Sequence, residues 1–163
     1  MRVIGIDPGT AITGWGVVEG GDGNDLQMVA AGVVRTAAGT PLPQRLQIIY
    51  NDLTALIKKW QPETSAIEEL FFSKNAKTAL AVGHGRGVAM LALANANLSI
   101  AEYKPLEVKQ AVTGYGGADK KQIQQMVKLL LSLEDIPRPD DAADALAIAI
   151  CHVHSAKLRL LES

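Results

Sequence analysis

Residues 2–7 read Arg2-Val3-Ile4-Gly5-Ile6-Asp7, and Pro8-Gly9-Thr10 follows. Val3, Ile4 and Ile6 favour extended backbone, so residues 2–6 predict a strand, which proline and glycine then end. The strand closes on a carboxylate, Asp7. A carboxylate at the end of an apolar strand needs water, a partner or a metal, because burying it alone is strongly disfavoured. Asp7-Pro8-Gly9 also suits a plain turn. The remaining carboxylates of the chain decide between these two readings.

Working outward, Ile12–Val18 (ITGWGVV) and Met28–Thr36 (MVAAGVVRT) predict two more strands. The glycine-rich turn 20–24 separates them, and an antiparallel meander results. Leu42, Leu46, Ile49, Leu53, Leu56 and Trp60 recur at helical spacing, and Gln61-Pro62 ends that helix. Ala66-Ile67 predicts a short buried strand, and Glu68 follows it as Asp7 follows Ile6. A crossover helix between two strands requires them to run parallel, so Asp7 and Glu68 would meet at one sheet edge. The plain alternative is that Glu68-Glu69 is a solvated pair before a loop.

A long helix is expected from about Asn75 to Ala96. Its Ala79, Gly83 and Gly87 form a smooth stripe, flanked by His84 and Arg86. The stripe suits either close packing on the protein's own sheet or a seam between two copies. Leu98–Tyr103 is a fifth strand, and Pro105 opens a helix through Ala111. Asp119 caps another helix, with Gln122 at capping-box spacing. Asp140-Asp141 start the last helix, running to about His154 with a frayed tail behind it. The order β-β-β-α-β-α-β-α-α-α describes a mixed α/β sheet with helices on both faces.

With 163 residues, 48% of them hydrophobic, the chain is long and apolar enough for one domain with a substantial core. The single cysteine, Cys151, excludes an internal disulfide framework and suits a reducing, cytoplasmic setting. The opening residues do not read as a signal peptide, and the longest apolar run, 88–94, is too short to span a membrane. Net charge is −1, which does not by itself advertise nucleic-acid binding. The distribution does: between Lys104 and Lys128 five lysines face only Glu107 and Asp119.

Asp141-Ala142-Ala143-Asp144 sets two carboxylates at i and i+3 on one helix face. Asp140 and Asp141 could simply cap the helix and meet its dipole. Asp144 sits a turn further in, within an otherwise apolar run, and resists that account. Four carboxylates from two strand ends and one helix would repel unless cations joined them. Oxygen donors without a Cys or His cluster suit Mg²⁺ or Mn²⁺ rather than zinc. Two such ions, roughly 3.5–4 Å apart, can activate water and stabilise the leaving oxygen of a phosphodiester.

Gly5-Ile6-Asp7-Pro8-Gly9 with Gly14-Trp15-Gly16, Ala66-Ile67-Glu68 followed by Phe71 and Lys74-Asn75, and Asp141-Ala142-Ala143-Asp144-Ala145-Leu146-Ala147 together resemble the RuvC family of Holliday-junction resolvases. The resemblance implies a ribonuclease H-like fold with a five-stranded mixed sheet. It implies a structure-selective endonuclease that nicks two strands of a four-way DNA junction symmetrically during recombination and repair. Asp7, Glu68, Asp141 and Asp144 would be the catalytic metal ligands for Mg²⁺. Phe71 would insert at the junction and so be partly exposed, while Phe72 would join the core. Lys74, Lys109 and Lys120 or Lys121 would contact DNA. A homodimer and a branch-migration motor of the RuvA and RuvB type would be its partners. Glu69 and Asp140 are additional acids beside the implied ligands. Two other functions fit parts of the pattern. An actin-like phosphotransferase also has Asp-x-Gly after its first strand but needs two domains around ATP. A junction-binding module without catalysis would bind but ignore Mg²⁺.

Overall fold

The computed structural model describes residues 1–21, 23, 25–69 and 75–163. Strands β1 (Arg2–Asp7), β2 (Ile12–Gly20) and β3 (Leu26–Arg35) form the expected meander, with Ile6 opposite Trp15 and Ile12 opposite Arg35. Helix α1 (Leu42–Trp60) crosses the sheet and delivers β4 (Thr64–Glu68) parallel to β1. Helix α2 (Ala76–Asn95) crosses to β5 (Ile100–Tyr103), which pairs parallel with β4. Helices α3 (Pro105–Thr113), α4 (Lys120–Leu130) and α5 (Asp140–Glu162) follow. The strand order is β3-β2-β1-β4-β5.

Both faces of the sheet are buried, which is why β1 reads as a nearly continuous apolar run. Successive side chains point to opposite faces. Ile4 and Ile6 therefore pack with Ile49, Leu53 and Leu93 of α1 and α2. Val3 packs on the other side with Val108, Val127 and Leu146 of α3, α4 and α5. In α1 the buried stripe is Ile49, Leu53 and Ile57, while Leu42 at its start stays exposed. Gln61 closes that helix in the left-handed conformation, φ 50°, its N–H donating to the Ile57 carbonyl. The capping box expected at α4 is present: Asp119 accepts from the Gln122 N–H, and the Gln122 side chain accepts from the Asp119 N–H.

Two expectations at α5 need correction. Its N-cap is Pro139, with no side-chain cap, so neither Asp140 nor Asp141 caps the helix. The helix does not end near His154 but runs on to Glu162. Ala156, Lys157, Leu158, Arg159 and the leucines after them are strong helix formers, and no glycine or proline interrupts them. The helix lies unusually close to β1 and β2. A Cβ at Gly5 would overlap the Ala145 carbonyl oxygen, and one at Gly14 would overlap that of Asp141. Glycine is required there because backbone meets backbone.

The small residues of α2 divide their roles. The close approach to the sheet is made by Gly85, where a Cβ would stand 2.7 Å from the Gly9 carbonyl oxygen. Gly87 of the predicted stripe has open space beside it, and Leu80 and Leu91 on the same side of the helix are exposed. No helix among the described residues is long and apolar enough to cross a membrane.

Candidate active site

The β1–β4 register pairs Ile6 with Ile67, so the next residues, Asp7 and Glu68, end adjacent parallel strands at the same edge. Helix α5 begins over that edge. The contact of Asp141 with the glycine surface of β2 seats its first turn there, and Asp144 follows one turn on. All four carboxylates are partly buried.

Their charges interact. Burial, then the charges of Asp144, Glu68 and Asp141, push the Asp7 carboxyl from 3.8 up to about 8, against the pull of Lys120. Glu68 is raised by burial and by Asp144, with Lys109 opposing. Asp144 is raised mainly by burial, and Lys120 offsets part of this. The Lys120 ammonium lies 3.6 Å from Asp144 and 3.5 Å from Asp140. Burial lowers its pKa, but these two carboxylates outweigh burial and raise it overall. Although their charges interact, no three Asp, Glu, His or Cys among the described residues are grouped closely enough to hold a metal ion. Burial first, and the neighbouring carboxylates after it, favour the protonated form of Asp7. The donor set is hard oxygen throughout, which fits a hard divalent cation of the Mg²⁺ or Mn²⁺ kind.

Lys109 and Lys120 line one cavity of about 260 Å³ together with Glu68 and Asp144, its walls closed by Val108, Ile123, Ala147 and Ile148. Lys121 lines a different groove with Tyr115, Gln122 and Gln125. The two neighbouring lysines therefore separate, because successive positions on a helix point about 100° apart. Phe71, Phe72 and Lys74 lie outside the described residues. Asp140 is exposed and accepts from the Gln124 amide at 3.1 Å, so it faces α4.

Sequence reasoning passed over Arg86. Its Nε donates to the Glu68 backbone carbonyl at 3.2 Å, and its guanidinium pairs with Glu102 of β5. A single charged residue in the largely apolar second half of the helix was the available signal. The turn after Asp7 is pinned as firmly. Thr10 donates to the Ala81 carbonyl at 2.5 Å, Thr13 to that of Gly9 at 2.6 Å, and Thr36 to that of Thr10 at 2.6 Å. Helix α2 thus holds the backbone beside two of the four carboxylates. A group aimed at a metal or a phosphate needs such support to keep its geometry.

Comparison with known proteins adds four findings. The family model described as "Crossover junction endodeoxyribonuclease RuvC" matches residues 3–152. The protein of that name from Chloroflexus aggregans is 62% identical over 156 residues, spanning 96% of this chain and 94% of its own. Among solved structures, Thermus thermophilus RuvC in complex with Holliday junction substrate matches with a TM-score of 0.93 at 35% identity, covering 98% of this chain and 96% of that one. The yeast mitochondrial Holliday junction resolvase Ydc2 shares the fold, with a TM-score of 0.69 at 15% identity over 96% of this chain and 81% of that one.

Proposed function

The chain belongs to the RuvC family of crossover junction endodeoxyribonucleases, and from that premise we propose that Asp7, Glu68, Asp141 and Asp144 are its catalytic metal ligands. It is a nuclease that resolves Holliday junctions, and nucleases of its family are metal-dependent. The observation that supports the site assignment is that Asp7 and Glu68 end adjacent parallel strands within reach of the charges of Asp141 and Asp144, so that burial and these neighbours push the Asp7 carboxyl up to about 8.

The four carboxylates would hold Mg²⁺, two ions per site, with Mn²⁺ as a substitute, and metal held there would supply activation of a water for attack on the phosphodiester and charge stabilisation for the leaving oxygen. The protein's own groups do the rest. Asp7 and Glu68 are fixed by parallel β pairing, and Arg86 steadies the Glu68 backbone. Lys109 and Lys120 bind phosphate beside the carboxylates, Lys120 exchanging its ion pair with Asp144 for one with DNA. The apolar walls of the cavity limit water around the reacting phosphate. Phe71 and Lys74 act at the junction itself. The products are nicked ends that a ligase can seal. The protein works in the cytoplasm with a branch-migration motor.

Incubation of an end-labelled synthetic four-way junction with and without Mg²⁺ tests this reading. Paired nicks in two strands of like polarity are expected only with the metal. Tight binding with no cutting at any Mg²⁺ or Mn²⁺ concentration would make it a binding module. ATP hydrolysis without DNA would favour the phosphotransferase.

Two nicks need two sites, and the exposed side of α2 with Leu80, Gly87 and Leu91 is the proposed seam between two copies. Gly87→Leu fills the open space there. It is expected to shift the sedimentation coefficient toward that of a monomer and to uncouple the two nicks. A wild-type protein that sediments as a monomer even on junction DNA overturns the seam.

A further inference from the structure

A second cleft, of about 630 Å³, opens beside the carboxylates between the turn after β1, the start of α1 and the first half of α2. It shares no lining residue with the Lys109–Lys120 cavity. Asp144 lines that cavity, which α3 and α4 build on one face of the sheet. Asp141, three residues earlier, lines this cleft, which α1 and α2 build on the other. The carboxylate edge therefore stands between two separate recesses.

The cleft is cationic. Arg45, Lys77, Thr78 and His84 line it, and Asp141 is its one acid among the described lining residues. Arg45 is held in place. Its Nε donates to Thr36 Oγ1 at 2.7 Å, and that hydroxyl donates onward to the Thr10 carbonyl. The turn that carries Asp7 into the site thus also orients the guanidinium. Neither Arg45 nor Lys77 forms an ion pair among the described residues, although Arg2, Arg86 and Lys120 each find one. An oriented guanidinium presents paired N–H donors, which suits phosphate oxygens, and lysine adds a point charge.

A strand lying across the carboxylates carries phosphates on both sides of the one being cut. Lys109 and Lys120 serve one side. We propose that Arg45 and Lys77 grip the backbone phosphates of the same strand on the other side. This inference rests on the nuclease reading of the site and extends it to a second phosphate subsite. Held from both faces of the sheet, the strand cannot slide along the carboxylate edge, so the subsite positions the scissile bond as well as adding affinity.

The test uses the full chain and a synthetic four-way junction, with binding measured in EDTA across a salt series. Each lost phosphate contact lowers the slope of log K against log salt by about 0.9. Lys77→Ala is expected to lower it by about that amount, and Arg45→Gln with Lys77→Ala by about 1.8, with the melting temperature unchanged for the exposed Lys77. A neutral methylphosphonate walked along the cut strand then locates the contact. Two positions should weaken wild-type binding and leave the double variant unaffected, one of them also lost in Lys77→Ala alone, and both should lie across the nick from the position that couples to Lys109→Ala. If Arg45→Gln does not fold, Lys77→Ala alone carries the slope and the walk. Unchanged slopes, or coupling on the same side as Lys109, overturn the subsite while wild type still binds and cuts. A wild type that neither binds nor cuts junctions overturns the underlying reading as well.

Discussion

The Asp7→Asn protein is expected to melt several degrees above wild type in EDTA at pH 8, to bind four-way junctions, and to cut none of them. In the folded, metal-free chain Asp7 keeps its proton to about pH 8, whereas the free carboxyl loses it near 3.8. Between those values the folded state binds more protons than the unfolded one, so stability falls as pH rises from about 4 to about 8. Above that window the whole penalty is present, and below it none is. Asparagine removes the charge and with it this dependence, so the variant's melting curve should be flat where that of wild type declines. Recovering only ~2 kcal/mol of the penalty would raise the melting temperature by about 4–8 °C for a chain of this size. On the proposed site assignment, cutting stops because the metal would lose a ligand, while the lysines proposed to hold the DNA remain. Asp144→Asn is a less clean version of the experiment, because it also breaks the ion pair with Lys120 at 3.6 Å. Thermal melts in EDTA from pH 5 to 9, with a gel-based cleavage assay, decide the matter. A variant that melts lower and still cuts removes Asp7 from the site.

Gly14→Ala should lower the cleavage rate by about a hundredfold or more, the scale expected when a catalytic group moves by ~1 Å. The added methyl overlaps the Asp141 carbonyl oxygen and stands 3.1 Å from the Asp141 Cβ. A backbone carbonyl cannot rotate away as a side chain can, so the first turn of α5 must lift. Overpacking of this kind costs about 1–3 kcal/mol, which a thermal melt reads as several degrees. Gly20→Ala separates loss of stability from loss of geometry. Its methyl presses on the Val153 side chain and touches that of Leu26, side chains only, at the far end of the same contact between β2 and α5. That variant should melt lower than wild type yet cut at the wild-type rate under single-turnover conditions. Equal rates in the two variants would mean that α5 tolerates displacement at Asp141.

The architecture was legible because its signals are local. Helical spacing between Leu46 and Trp60, the Asp119–Gln122 capping box and the apolar run before Asp7 each lie within a few turns of chain. Setting the fourth strand parallel to the first needed one further rule, that a crossover helix joins parallel strands, while the place of the fifth came only from the structure. That rule also brought Glu68 beside Asp7. The i, i+3 spacing of Asp141 and Asp144 assigned both to one helix face. Errors came where a local signal met a distant competitor. Aspartates at a helix start read as caps, yet those of α5 turn instead toward Lys120, Gln124 and the sheet edge. The last helix was ended near His154 because a terminus usually frays, although the residues beyond it favour helix throughout.

By itself the sequence determined the element order, the two strand-end carboxylates, the aspartate pair and, through its motifs, the family. These follow from neighbours along the chain and from the twofold and 3.6-fold periods of strand and helix. Only the tertiary structure decided which lysine of the 120–121 pair enters the site and that Arg86 pins the Glu68 backbone. It alone showed that Gly85 packs against the Gly9 turn while Gly87 faces outward, and that a second cationic cleft flanks Asp141. Each of those depends on the close approach of segments far apart in the chain. The rotation of a helix on its sheet, which decides what faces what, is set by packing that no local pattern records.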